Sequence, residues 1–423
     1  MQNLKKTVDS SNINFLLGAG VSAPFLAILG NIEKDLTDAE KIVDKGTKEA
    51  KILELKKTYF TESMFPNLQI LKEEDDSVGN TVLVNYRNFY KTLNSLMFKR
   101  ANSILTKQVN VFTTNIDVFS EKALESTGVE FNDGFHGRFN PKYDLGNFKK
   151  SYFKKSLHYE NTSEIPVFNI LKLHGSLSWK EKDGSILFDK ELGLVNECND
   201  NAASDVEFLE SYSKLRVVNP TKKKFEDTVL GEQYYDLLRL YSNELEKESS
   251  VLFVIGFSFA DEHIRDMTIR AANSNPTLKV YIFSYSPEIE PSFQDLISSF
   301  YAFQVADLAA LQAEVEKRFS DFAESSADIE IAWFSDLITG IVTTAGASLE
   351  EVLVRIKNEL DYIFIYKNMT AVKNNNIKVI YPVDINSKRC DLASITKVFS
   401  GISVSDAYKH SDDGEVIEEV IQE

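Results

Sequence analysis

The chain has 423 residues, room for two or three domains, and its 43% hydrophobic and 26% charged residues are those of a globular protein with a full core. Collagen-like, coiled-coil and low-complexity readings are excluded. With 47 Lys and Arg against 64 Asp and Glu the net charge is −17, which argues against direct, electrostatically driven binding to nucleic acid by this chain alone. Two cysteines, Cys198 and Cys390, build neither a disulfide framework nor a four-thiolate zinc site, and a reducing, cytoplasmic compartment fits best.

The uncharged stretch from Ile13 to Gly30 follows Lys5 and Lys6, like a signal-peptide core or a short membrane span. Gly18, Gly20, Pro24 and Gly30 break the helix that either would need. The same residues read better as a buried strand, Asn14 to Leu17, entering the tight turn Gly18-Ala19-Gly20, with a helix to follow. From Glu33 to about Tyr59 apolar residues recur at helical spacing (Ile42, Val43, Ile52, Leu53, Leu55), and Val82 to Leu105 repeats this with more aromatics. These stretches, about 31–105, predict a helical insertion, a subdomain or lid.

Beyond it the pattern alternates as a parallel sheet covered by helices requires. Strands are predicted at 109–113, 167–173, 251–255 and 278–283, with a further one at 215–218. Helices are predicted at 118–126, ended by Gly128, and at 230–245, 262–272 and 308–322. Residues 184–205 read as an irregular excursion. The polar run Glu324-Ser325-Ser326 marks a boundary, so the expected domains are 1–325 and 326–423. The second is a small α/β module with a strand at 377–381 and a helix at 349–363; without a catalytic motif, its default role is oligomerisation or partner binding. The fold class is α/β, a Rossmann-like doubly wound parallel sheet.

Five strand-end turns carry the candidate chemistry, because such sheets collect ligands at the carboxyl ends of their strands. Gly18-Ala19-Gly20 suits close approach to a pyrophosphate, although Ala23 stands where a dinucleotide fingerprint has its third glycine. Thr113-Thr114-Asn115-Ile116-Asp117 offers hydroxyls, an amide and a carboxylate, with an Asx-type helix cap as the bland alternative. Of five histidines only His174, in Lys172-Leu173-His174-Gly175-Ser176, directly follows a strand, where an imidazole can act as a general base. His136 lies in a loop that can line the same cleft; His158, His263 and His410 read as surface residues. Gly256-Phe257-Ser258-Phe259-Ala260-Asp261 and Phe283-Ser284-Tyr285-Ser286 complete the set, which suits a nucleotide: glycines for phosphate, hydroxyls for ribose, aromatics for a base.

In this order Gly18-Ala19-Gly20-Val21-Ser22, Thr114-Asn115-Ile116-Asp117, Lys172-Leu173-His174-Gly175 and Gly256-Phe257-Ser258 resemble the sirtuin NAD-binding core, over roughly residues 10–290. The resemblance implies that Gly18, Ala19, Gly20 and Ser22 cradle the pyrophosphate, that Asn115 and His174 form the essential pair at the nicotinamide ribose, and that Thr114 and Asp117 belong to the same NAD site, Asp117 near the nicotinamide. Gly256, Ser258 and Ser284 would hold the adenosine half. The family's four-cysteine zinc ribbon is absent, and Ser22 is followed by Ala23-Pro24-Phe25-Leu26 in place of Gly-Ile-Pro-Asp-Phe-Arg. No metal is expected, and the acyl-lysine groove is in doubt. Such zinc-less chains resemble the NAD-consuming effectors of bacterial antiviral defence. The resemblance therefore implies NAD as substrate, an NAD hydrolase acting in the cytoplasm, a homo-oligomer and a HerA-type ATPase as possible partner, with no membrane association. A protein deacylase or ADP-ribosyltransferase and a non-catalytic NAD or ADP-ribose sensor are the alternatives.

Overall fold

The computed structural model describes residues 2–26, 32–72, 77–100, 104–155, 161–217, 228–285, 306–323, 338–343, 348–356, 369 and 372–404. Seven strands form its central sheet: β1 (Asn12–Leu17), β2 (Gln108–Thr113), β3 (Phe131–Asn132), β4 (Val167–Lys172), β5 (Ser250–Ile255), β6 (Lys279–Phe283) and β7 (Ile377–Ile380). Their order is β7-β6-β5-β1-β2-β4-β3, and every neighbouring pair is parallel. All carboxyl ends therefore lie along one edge. The chain runs outward from β1 through β2 to β4 and resumes on the other side of β1 with β5, so the direction of winding reverses between β1 and β5.

Every position of β4 and β5 is buried, as a parallel sheet covered on both faces demands. Ile13, Phe15 and Leu17 point into one core layer and Leu16 into the other, the two-residue period of a strand dividing them. The first layer is closed by helices α1 (Ser77–Lys99) and α2 (Phe119–Thr127): Phe15 packs edge-on to Phe89 at 5.3 Å, and Tyr86 stacks on Phe119 at 5.4 Å. The second is closed by α3 (Thr228–Glu246) and α4 (Glu262–Ser274), with Tyr241 edge-on to Phe112 at 5.0 Å.

A buried asparagine row pins the register. Asn14, Asn110 and Asn169 stand opposite one another on β1, β2 and β4. Asn169 Nδ2 donates to Asn110 Oδ1 at 2.9 Å, and Asn110 Nδ2 to Asn14 Oδ1 at 2.9 Å. A slip of one residue would strand these amides among apolar side chains, a cost of a few kcal/mol for each unpaired group.

Four expectations need correction. No regular helix follows Gly20 directly: Ala19–Val21 is a single 3₁₀ turn, and the next described helix is Ile32–Glu40. Within the helical insertion α1 is a layer of the main core, with Tyr86, Phe89 and Tyr90 buried, and not a lid; helix Lys45–Tyr59 has no buried residue and lies outside it. Residues 184–205 are ordered: Trp179–Lys182 and Ser185–Phe188 form a hairpin whose turn, Asp183-Gly184, has φ of 52° and 68°, and Gly193–Asp200 is a helix burying Leu194, Val195 and Cys198. In place of a strand over 215–218, Val217 makes one antiparallel bridge to Gly175. Residues 377–404, within the second expected domain, lie against the main sheet. β7 pairs with β6, and α5 (Leu392–Val404) sets Phe399 5.3 Å from Phe253. Of the C-terminal expectations, the strand is observed over 377–380 and the helix over 349–356, and 357–363 lie outside the described residues.

Candidate active site

At the reversal point the turns after β1 and β5 touch backbone to backbone. Gly18 N–H donates to Ile255 O at 3.0 Å and Gly20 N–H to Gly256 O at 2.9 Å. A Cβ on Gly18 would lie 2.4 Å from Gly256 O, and one on Gly20 2.9 Å from Gly256 Cα. Gly256 itself has φ of 62°, a left-handed conformation natural to glycine. These glycines are thus required by turn-on-turn packing, with their N–H groups spent on it. Ala19 forms the exposed crest of the turn, the part of the motif that a phosphate can approach.

Behind the crest lies a closed polar network. Asn115 Nδ2 donates to Gly18 O at 3.0 Å and to Ser22 Oγ at 3.3 Å, tying the ends of β1 and β2 together. Ser22 Oγ donates to Asp117 Oδ2 at 2.7 Å. That uses the hydroxyl's single proton, so in the 2.9 Å contact between Tyr86 and Ser22 the tyrosine is the donor. Burial, reinforced by the Asp117 charge, holds the Tyr86 phenol well above its usual pKa range and keeps that proton in place. Asp117 Oδ1 accepts from Phe119 N–H at 3.2 Å at the start of α2, so the Asx-type contact in this loop, its bland alternative, is made by Asp117.

Lys172, 3% exposed at the end of β4, fixes the same loop from beneath. Its Nζ donates to Asn115 O at 3.3 Å and to Asp117 O, and pairs with Glu121 Oε1 at 3.2 Å. Burial nevertheless raises the Glu121 carboxyl above its ordinary value, against the pull of Lys172. Glu121 Oε2 has no hydrogen-bond partner.

His174 stands beside this loop. Thr113 and Lys172 are register partners on β2 and β4, so Asn115 and His174 each emerge two residues past a paired position. Leu173 N–H to Thr113 O (2.8 Å) and Leu177 N–H to Ile116 O (3.0 Å) hold the two loops side by side. Gly175, with φ of 75°, lies against the 215–217 segment, where a Cβ would meet Arg216 O at 2.2 Å. The His174 side chain is 16% exposed and its Nε2 lies 3.1 Å from Asp261 Oδ2, without the alignment of a hydrogen bond. Asp261 caps α4, its Oδ1 accepting from His263 N–H (3.1 Å) and Ile264 N–H (3.3 Å). An Asp directly before Glu262-His263-Ile264 signals a cap in the sequence, but nothing local signals the histidine.

The structure thus brings Gly18, Ala19, Gly20, Thr114, Asn115, His174, Gly256 and Ser258 to one edge of the sheet. Thr114 is half-buried, its N–H on Leu17 O at 3.3 Å. Ser258 is half-buried and its Oγ accepts from Ala260 N–H at 3.3 Å. Three side chains depart from the roles inferred for them. Ser22 and Asp117 are buried and bonded to each other, and so act behind the site; Ser284 is 2% exposed at the end of β6, its N–H on Ile380 O of β7. His136 is exposed on a small antiparallel sheet, and His263 is exposed at the start of α4. His158 and His410 lie outside the described residues. Among the described residues no group of three or more His, Cys, Asp or Glu is placed to hold a metal, and no helix is long and apolar enough to cross a membrane.

No curated protein matches this chain. Residues 109–301 match the family of the SIR2-like domain, a span that contains Asn115, His174, Gly256, Ser258 and Ser284 and begins after the glycine turn of β1. SIR2-like domains form an NAD-dependent enzyme family; the likeness is one of residues 109–301, and the seven-stranded Rossmann-like sheet is consistent with it.

Proposed function

We propose that the protein is an NAD hydrolase, converting NAD to nicotinamide and ADP-ribose. One observation carries the reading: Asn115 and His174 stand on adjacent loops at the edge where the sheet reverses, one anchored from behind and the other partly open to solvent. The NH₂ of Asn115 is spent on Gly18 and Ser22, which leaves its carbonyl oxygen to accept from a water or a ribose hydroxyl. Cleavage breaks the C1′–N bond, and the electron pair leaves with nicotinamide as a neutral ring, so no general acid is needed. Water held by Asn115 adds to C1′ of the oxocarbenium-like ribose and gives up its proton to His174, directly or through a ribose hydroxyl.

A protein deacylase or ADP-ribosyltransferase needs an acceptor groove, for which the sequence lacks both the zinc-ribbon cysteines and the Gly-Ile-Pro-Asp-Phe-Arg segment. A pure NAD or ADP-ribose sensor has no use for an amide and an imidazole held side by side. The biological setting follows from the resemblance alone: NAD depletion in antiphage defence, in the cytoplasm, by a homo-oligomer acting with or without a HerA-type ATPase. Incubation of the purified protein with NAD, alone and with a candidate ATPase, is the direct test. Nicotinamide and ADP-ribose released without any acceptor are expected; release only in the presence of an acylated or acceptor protein would overturn the reading. Asn115→Ala and His174→Ala should each lower turnover about 10²–10⁴-fold while the fold persists.

A further inference from the structure

We infer that Asp261 is the positioning residue of His174: its carboxylate holds the imidazole with the proton on Nε2 and the lone pair on Nδ1, so that Nδ1 is the nitrogen presented to the reacting sugar and water. The inference rests on the hydrolase reading for its consequence in rate, but its geometry is independent of that reading.

Nε2 is buried, has no aligned hydrogen bond, and has Asp261 Oδ2 at 3.1 Å. A buried ring nitrogen beside a carboxylate is most stable as an N–H, because a bare lone pair facing a carboxylate oxygen would be repelled. The carboxylate is itself held. One oxygen, Oδ1, accepts the backbone N–H groups of His263 and Ile264 at the start of α4, and this fixes the carboxylate with Oδ2 against the ring. The ring is confined from its other sides by the pinned Gly175 backbone and by the Tyr234 ring, 6.2 Å away between centroids. A neutral imidazole so held has one basic nitrogen, Nδ1, and a fixed direction for it. The arrangement unites β4 and α4, whose strand-end loops lie on opposite sides of the reversal point, so the histidine is oriented only when both halves of the sheet are in place.

The test separates orientation from capping. Asp261→Asn and Asp261→Ser both keep a good helix cap, so thermal unfolding should change little. The readout is the ¹⁵N NMR spectrum of ring-labelled full-length protein at a pH where the ring is neutral, with the His174 signals identified by their loss in His174→Gln. The wild type should show the Nε2–H form. With Asp261→Asn the amide NH₂ faces the ring and should reverse it to Nδ1–H; Asp261→Ser should give a mixture of the two. NAD turnover should fall about a hundredfold in Asp261→Asn at similar KM, the loss typical of a misoriented reacting group. A wild-type ring protonated on Nδ1, or Asn and Ser variants with wild-type ring state and wild-type turnover, would overturn the inference. If the ring state changes as expected while wild-type protein never hydrolyses NAD, the positioning role stands and the hydrolase reading falls.

Discussion

The back and the front of the site spend their polar atoms differently. Behind Asn115, the amide NH₂, the Ser22 and Tyr86 hydroxyls and the Lys172 ammonium all have acceptors, in a region shielded from water. In front, His174 is partly open, its buried nitrogen lacks an aligned bond, and Ala19 stands exposed. In a low-dielectric interior a missing partner is costly, whereas groups near solvent rearrange at little expense. The contrast makes the back rigid and leaves the front free to adapt.

The sharpest way to break that contrast is Lys172→Met. It removes the cation from a buried pair and the donor from two loop carbonyls, and should cost about 3–5 kcal/mol in denaturant unfolding while also disabling Asn115. Adding Glu121→Gln should recover part of the stability, because the stranded carboxylate disappears. A loss below about 1 kcal/mol, the range of a surface pair, would show that the back is no more rigid than the front. Glu121→Gln alone should alter the pH dependence of stability. Burial raises the native Glu121 carboxyl above the ordinary carboxylate value of the unfolded chain, so the native state binds this proton more tightly. Its contribution is complete below that unfolded value and is lost as pH rises through the raised native one; the glutamine variant should lack that fall.

Next in size is Gly18→Ala, which drives a methyl into Gly256 O and Phe257 Cα, at 2.4 and 2.6 Å. Overpacking of this kind should cost about 1–3 kcal/mol and separate the two turns, read as a lower melting temperature and weaker NAD binding. Smallest is Ser258→Ala at the open edge. It should change stability by less than about 0.5 kcal/mol and raise KM with kcat unchanged, and a fall in kcat would move Ser258 from binding to the reaction itself.

How legible all this is in the sequence follows from how local each cause is. The strands β1, β2, β4, β5 and β6 are apolar runs, interrupted in β1, β2 and β4 by the paired asparagines, that end in glycine or hydroxyl turns, and parallel pairing then puts those turns at one edge whatever the strand order. The direction of Ser22 and Asp117 is not local: it depends on Tyr86, 64 residues beyond Ser22, whose hydroxyl waits inside the core. Asp261 and His174 are farther apart still in sequence. Residues 377–381 read correctly as a strand, but only three-dimensional packing makes 377–380 the edge of the main sheet instead of part of a separate module. The helix Gly193–Asp200 is hidden by its asparagines and aspartate, since only Leu194, Val195 and Cys198 mark its buried side.

The meeting of the first and fifth strands has a consequence for the order in which the molecule is made. Asn14 and Ser250 bond across 236 residues, and the glycine turns above them touch across a similar span. Contacts of such high order form late, after a long loop has been closed. During synthesis the first glycine turn leaves the ribosome long before the turn that props it exists. A polypeptide that stops short of the fifth strand therefore carries the first glycine turn without the backbone that props it.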